Sequence, residues 1–369
     1  MSLGGRFPRL VVIVGSGGVG KTTLAAALGL GMAREGSDTL VMTFDPSLRL
    51  KEALGVEASA TEAEAIVDAG TSGRLSASLL DPRSTFDRLI RRYAPDAAAR
   101  ERILNNRYYQ HLAGSLAGIL EYMAVERLYE AATESPERRI VLDTPPTRQA
   151  LDFLEAPERI VGFLDSGALR IALKNWFDDE GRLRPTSYLG PIGRRLDRFL
   201  DELIGLDLLR DMAEFFQAFG PLFAGFRQRA LEVERLLRSP ETQFMLVSGP
   251  GEERVPDTIF FARRLGEAGL RLGPVVVNRV HPSAEGGASS PSRAEAAGRQ
   301  LLERLAAADR RGIKMLSDLL GPERSLAVVP LLEEAPGDLD SLAALAELLE
   351  ERLEEGGASG AFCRTAEKA

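Results

Sequence analysis

The chain has 369 residues, 44% of them hydrophobic, and 46 Lys and Arg against 54 Asp and Glu give it a formal net charge of −8. That length fits one large α/β domain with insertions, or two domains, and the acidic balance argues against nonspecific nucleic-acid binding as the main role. The lone cysteine, Cys363, rules out an intramolecular disulfide and a Cys-x-x-Cys metal clip.

Residues Met1 to Arg9 are too short and too polar for a signal peptide. No apolar run reaches the roughly 18 residues of a membrane span. With the single cysteine, this predicts a cytoplasmic chain with no transmembrane segment. Leu10–Val14 reads as a buried strand and Thr22–Glu35 as a helix. Between them, Gly15-Ser16-Gly17-Gly18-Val19-Gly20-Lys21-Thr22-Thr23 has the spacing of a P-loop: a glycine, four residues, then Gly20, Lys21 and Thr22. Such a loop turns the N–H groups of Gly17, Gly18, Val19, Gly20, Lys21, Thr22 and Thr23 toward phosphate oxygens, at the positive end of the helix. Lys21 then reaches the β- and γ-phosphates of ATP, and the Thr22 hydroxyl ligates Mg²⁺.

Thr39–Phe44 is the next apolar run, closed by Asp45 and Pro46. A carboxylate at Asp45 orients an attacking water or holds a Mg²⁺-bound water; its bland alternative is a helix N-cap. Residues 58–137 show mainly helical periodicity. Arg139–Leu142 is a strand ending in Asp143, the Walker B arrangement, where the carboxylate accepts hydrogen bonds from water around Mg²⁺. Thr144-Pro145-Pro146-Thr147 follows as a stiff candidate switch. Residues 151–240 again read as helical, with a Leu/Phe stripe over 199–226 that suits either a subdomain core or a groove for a hydrophobic client. Phe244–Val247, Pro274–Val277 and Leu326–Val329 complete the strands, with a helix over Asp257–Ala268. Asn278, at a strand end, pairs with an adenine edge or caps a turn. Pro282–Gly298 reads as a mobile loop. His111, His281 and Trp176 carry no motif.

Strand and helix alternate, so the expected fold is α/β: a doubly wound, mostly parallel sheet of the P-loop NTPase type with a helical subdomain. The expected division is a core of residues 1–57, 138–150 and 241–354, a helical subdomain of 58–137 and 151–240, and a disordered tail of 355–369.

Gly15–Thr23, Thr43–Leu50, Asp143–Thr147 and Asn278 stand in the order and spacing of the ArsA-type, anion-transporting ATPases. The chain resembles that family over nearly its whole length. Its relatives include the tail-anchored-protein targeting ATPases and, more distantly, the Min/Par and nitrogenase-iron-protein ATPases. The segment from Arg148 to Pro157 is similar to the ArsA-like ATPases of actinobacteria and related bacteria, which often come as paired genes. The resemblance implies the deviant Walker A class. It makes Asp45 the water-positioning residue of switch I, Asp143 the start of switch II and Asn278 the reader of adenine. Val329-Pro330-Leu331 resembles the loop beside the base. The resemblance also implies a Mg²⁺-dependent ATPase that switches a dimer and its helical subdomain. The partner is then a second copy or an ArsA-like paralogue, and the client hydrophobic or a membrane protein. Ser16 stands where the family usually carries a lysine that reaches the partner's phosphates; Arg49 or Arg148 are candidate substitutes. With only Cys363 for thiolate chemistry, neither arsenite nor a Cys-x-x-Cys zinc clamp is expected. Ser16 keeps a second reading open: an ATP-binding subunit, poor in hydrolysis, paired with a lysine-bearing paralogue. A small-molecule kinase is the third, and no acceptor-substrate signature favours it.

Overall fold

The computed structural model describes residues 2–44, 49–55, 65–67, 70, 72–106, 109, 119–165, 222–283, 293–322 and 324–357. Asp45, His111, Trp176, Cys363 and most of the 199–226 stripe lie outside them. The described chain divides into a sheet unit, Met1–Leu80, Ala131–Leu151 and Leu236–Ala369, and a helical unit, Asp81–Glu130 and Asp152–Arg235.

Among the described residues eight strands form the sheet: β1 Leu10–Gly15, β2 Thr39–Thr43, β3 Ala65–Val67, β4 Leu75–Leu79, β5 Arg139–Asp143, β6 Thr242–Ser248, β7 Leu272–Val280 and β8 Leu326–Pro330. Their order is β3-β4-β2-β5-β1-β6-β7-β8. Every pairing is parallel except β3 with β4. Parallel strands covered on both faces have no polar side to show, which is why β1 and β2 are apolar or small and buried at every position. Alternate residues then serve opposite faces. Two helices come first in the chain, α1 Leu3–Arg6 and α2 Lys21–Arg34; Val11 and Ile13 of β1 join a core with α2 and with Leu342, Leu345 and Leu349 from the helix Leu339–Gly357. The helix α2 lies close on the sheet because it is small-residue rich; a Cβ on Gly29 would sit 2.2 Å from Val41 Cγ2. The helix Val255–Glu267 contacts β6 and β7 and buries Phe261 and Leu265. Because β1 lies between β5 and β6, the carboxyl ends of the middle strands converge at the loop after β1, the place where doubly wound sheets hold ligands.

The structure departs from three sequence expectations. The stretch 58–137 is not helical throughout, since it contains β3 and β4. In β4, Leu75-Ser76-Ala77-Ser78-Leu79, the serines are buried, and no β-branched residue marks the strand. The second correction concerns Pro282–Gly298: its last part is helical, because the helix Arg293–Leu320 begins there on a run of Ala, Glu and Arg. The tail segment from 355 to Gly357 also continues a helix.

The helical unit holds the helices Pro82–Tyr93 and Ala97–Leu104 and parts of Ile119–Glu134, Thr147–Asp165 and Phe223–Arg238. Asp81 caps the first of these, accepting from Arg83 N at 3.1 Å, with Pro82 at its first position. Phe86, Leu89, Ile103, Met123, Leu128, Phe153 and Val233 are buried. Of the Leu/Phe stripe, Leu222 and Phe226 are described and are also buried; Phe226 packs on Tyr122 with ring centroids 5.0 Å apart and planes tilted by 57°. Inside this core Arg229 Nε donates to Glu126 Oε2 at 2.6 Å, and its guanidinium lies 4.1 Å from the Tyr93 ring centroid. Tyr122 Oη hydrogen-bonds the other Glu126 oxygen. Among the described residues no helix is long and apolar enough to cross a membrane.

Candidate functional site

The loop from Gly15 to Gly20 leaves the end of β1 and feeds directly into α2. Gly20 is the helix N-cap with φ 92°, and a Cβ there would sit 2.4 Å from Asn278 Nδ2. Only glycine meets both conditions. Gly20 supplies no side-chain cap, and the first turn carries no acidic residue. The amides of Lys21, Thr22 and Thr23 therefore begin a helix whose first N–H groups have no intrahelical acceptor. Lys21 is buried, and its Nζ donates to Ser16 O at 3.0 Å, so the ammonium folds back over the loop. Ser16 is itself buried, and its Oγ has no hydrogen-bond partner among the described residues.

Register brings the acidic group to this loop. Asp143 pairs with Ile13 of β1 on one side and with Thr43 of β2 on the other. Its carboxylate is fully buried; Oδ2 accepts from Thr22 Oγ1 at 2.7 Å and from Thr43 Oγ1 at 2.9 Å. Thr144 Oγ1 donates to Ile13 O at 2.8 Å, tying the start of the next segment to β1. Pro146 lies against the loop: a Cβ on Gly17 would meet its ring carbon at 3.7 Å.

The far side of the loop is held by β7. Asn278 is buried, and its Nδ2 donates to Val19 O at 2.9 Å. Arg279, the next residue, has φ 66°, and its Nη1 donates to Gly18 O at 2.8 Å. The β7–β8 register slips between Asn278 and Val280, so Arg279 is the extra residue of a bulge. Pro330 ends β8 opposite Val280, and Leu331 N donates to Val280 O at 2.8 Å. Thus Gly17, Gly18, Val19, Gly20, Lys21, Thr22, Asp143 and Asn278 form one cluster. Thr23 opens the helix behind them, and Pro330 lies one strand beyond Asn278. Asp45 and the side chains of Arg49 and Arg148 lie outside the described residues.

Residues 8–174 match the anion-transporting ATPase family. This portion of the chain is similar to that family. An ATPase get3 of Aspergillus terreus is 32% identical over 40% of this chain and 43% of its own length. An uncharacterized protein of Streptomyces coelicolor is 29% identical over 74% of this chain and 63% of its own. A protein of Aquifex aeolicus, named as a candidate arsenical pump-driving ATPase, is 24% identical over 92% of this chain and 78% of its own. The chain therefore spans less than two thirds of the length of the first two.

The family portion contains the loop, Thr43 and Asp143, whereas Asn278, Arg279 and Pro330 lie beyond it. Sequence reasoning missed two members of the cluster. Thr43 was visible only as a strand residue before Asp45, and its contact with Asp143 is created by register between strands 100 residues apart. Arg279 carried no signal, because a bulge is not encoded in Val-Asn-Arg-Val as such.

Proposed function

We propose that the chain is a Mg²⁺-dependent ATPase of the anion-transporting type, working as a dimer with a second copy or a paralogue. One observation carries this reading: Thr22, Thr43 and Asp143 meet around one carboxylate oxygen at the positive end of α2, beside Lys21. The amides from Gly17 to Thr23 receive the β-phosphate. Lys21 leaves the Ser16 carbonyl for β- and γ-phosphate oxygens. Thr22 and Asp143 offer hard oxygen donors that suit Mg²⁺. Mg²⁺ would enter with the nucleotide, whose phosphate oxygens and waters complete its shell. When bound, Mg²⁺ neutralises charge on the β- and γ-oxygens. Asp45 orients the attacking water; the new bond forms to the γ-phosphorus and the bridging P–O bond breaks, leaving ADP, phosphate and a proton. Catalysis on this reading is positioning and electrostatics, with no covalent intermediate. ATP binding favours the associated state and hydrolysis releases it, in the cytoplasm, with a hydrophobic or membrane-protein client as the species handled.

The test is steady-state ATPase activity with Mg²⁺ at several protein concentrations, for the wild type, Lys21→Ala and Asp45→Asn. Turnover per chain that rises with concentration, and falls about 10²–10³-fold in each variant, is expected. Tight ATP binding without turnover would sink this reading. It would favour the second one, a nucleotide-sensing subunit of a heterodimer. Ser16 supports that alternative, since its short neutral side chain brings no charge to a partner's phosphates.

A further inference from the structure

We infer that Asn278 and Arg279 are positioning residues: they grip the phosphate loop from behind and preset its amides for an anion. This rests on the reading of the loop as a nucleotide site. The argument begins with the peptide unit. In a trans peptide the C=O and the N–H of the next residue point in opposite directions. Arg279 Nη1 holds Gly18 O at 2.8 Å, and Asn278 Nδ2 holds Val19 O at 2.9 Å. Two successive carbonyls are therefore drawn toward β7, which turns the N–H groups of Val19 and Gly20 the other way, into the loop. Successive amides aimed at one point make an anion nest. A donor on a peptide carbonyl also polarises that peptide and strengthens its N–H as a donor.

The backbone supports a dedicated role. Arg279 is the one non-glycine residue with positive φ among those described. Such a conformation is sparsely populated by residues with a side chain and persists where the surroundings enforce it. The bulge at Arg279 is what lets consecutive residues of one strand both face the loop, since side chains of a regular strand alternate. The guanidinium is exposed, so its loss leaves no hole in the core.

The test compares wild type, Arg279→Ala and Arg279→Gly, the last of which also removes the backbone cost. Two readouts are used: hydrogen exchange of the 15–23 segment in nucleotide-free protein, and affinity for ADP, ATP and adenosine. Faster exchange is expected in both variants at Val19, whose peptide Arg279 holds, and less change at Gly20, whose peptide Asn278 still holds. Affinity for ADP and for ATP should fall alike, by about tenfold, the equivalent of one charge-assisted hydrogen bond, while adenosine binding is unchanged. Unchanged exchange overturns the inference. So does a loss confined to ATP, which would mean direct contact with the terminal phosphate, or a loss for adenosine, which would mean contact with the base. Normal behaviour of Arg279→Gly would assign the effect to backbone conformation and overturn it too. If the wild type binds no nucleotide, the site reading fails, and the exchange readout alone decides the clamp.

Discussion

Single side chains decide how the carboxylate at Asp143 is held. Thr43 is buried and donates to the same oxygen as Thr22. Thr22 is expected to exchange its partner when Mg²⁺ binds, whereas Thr43 keeps the carboxylate oriented throughout. Thr43→Val preserves shape and removes that donor. It is expected to lower Mg²⁺ affinity or turnover by about 10–100-fold, the usual cost of losing a group that orients a metal ligand; a Mg²⁺ titration of activity measures it. The loop itself was legible in sequence because its chemistry is written in consecutive residues. Thr43 and Arg279 were not, because their contacts depend on strand register and a bulge, which couple residues 100 and 261 positions apart.

Elements differ in how plainly the sequence announces them. β1, β2, β5, β6, β7 and β8 are recognisable as apolar runs of strand length. β4 hides two serines in the core, and β3 has only three residues, so periodicity has little to act on. The helix Arg293–Leu320 was obscured by the Ser, Gly and Pro that precede it. Within the helical unit, the Glu126–Arg229 pair fixes the helix Phe223–Arg238 against Ile119–Glu134. Burial is the main influence on the Glu126 carboxyl and raises its pKa, against the opposing pull of Arg229. Arg229→Met leaves that carboxylate buried without its cation and is expected to destabilise the unit by about 3–5 kcal/mol near neutral pH. A carboxyl whose folded pKa exceeds its unfolded value takes up a proton on folding, so it favours the fold at low pH and opposes it as pH rises through the folded pKa. The variant should therefore lose less stability at pH 5 than at pH 8, read from urea midpoints. Equal losses would mean that Glu126 does not stay ionised at the higher pH. Adding Glu126→Gln should recover most of the loss.

Across the whole molecule, one of the two units carries every described member of the proposed nucleotide cluster. Ligand binding stabilises what it binds: ADP at about 100 times its dissociation constant adds about 2.7 kcal/mol to globally exchanging amides. That gain is expected in the sheet unit, measured by hydrogen exchange resolved along the chain, and should vanish in Lys21→Ala. Protection appearing only within 81–130 and 152–235 would place the nucleotide elsewhere. The antiparallel strand β3 has a further consequence. An open row of N–H and C=O groups at the margin of a sheet templates pairing with other chains, and proteins blunt such margins with very short strands. Three residues running against β4 offer too little backbone for a neighbour to zip onto. Among the described residues, that short run therefore guards the margin against strand-by-strand, fibre-like growth.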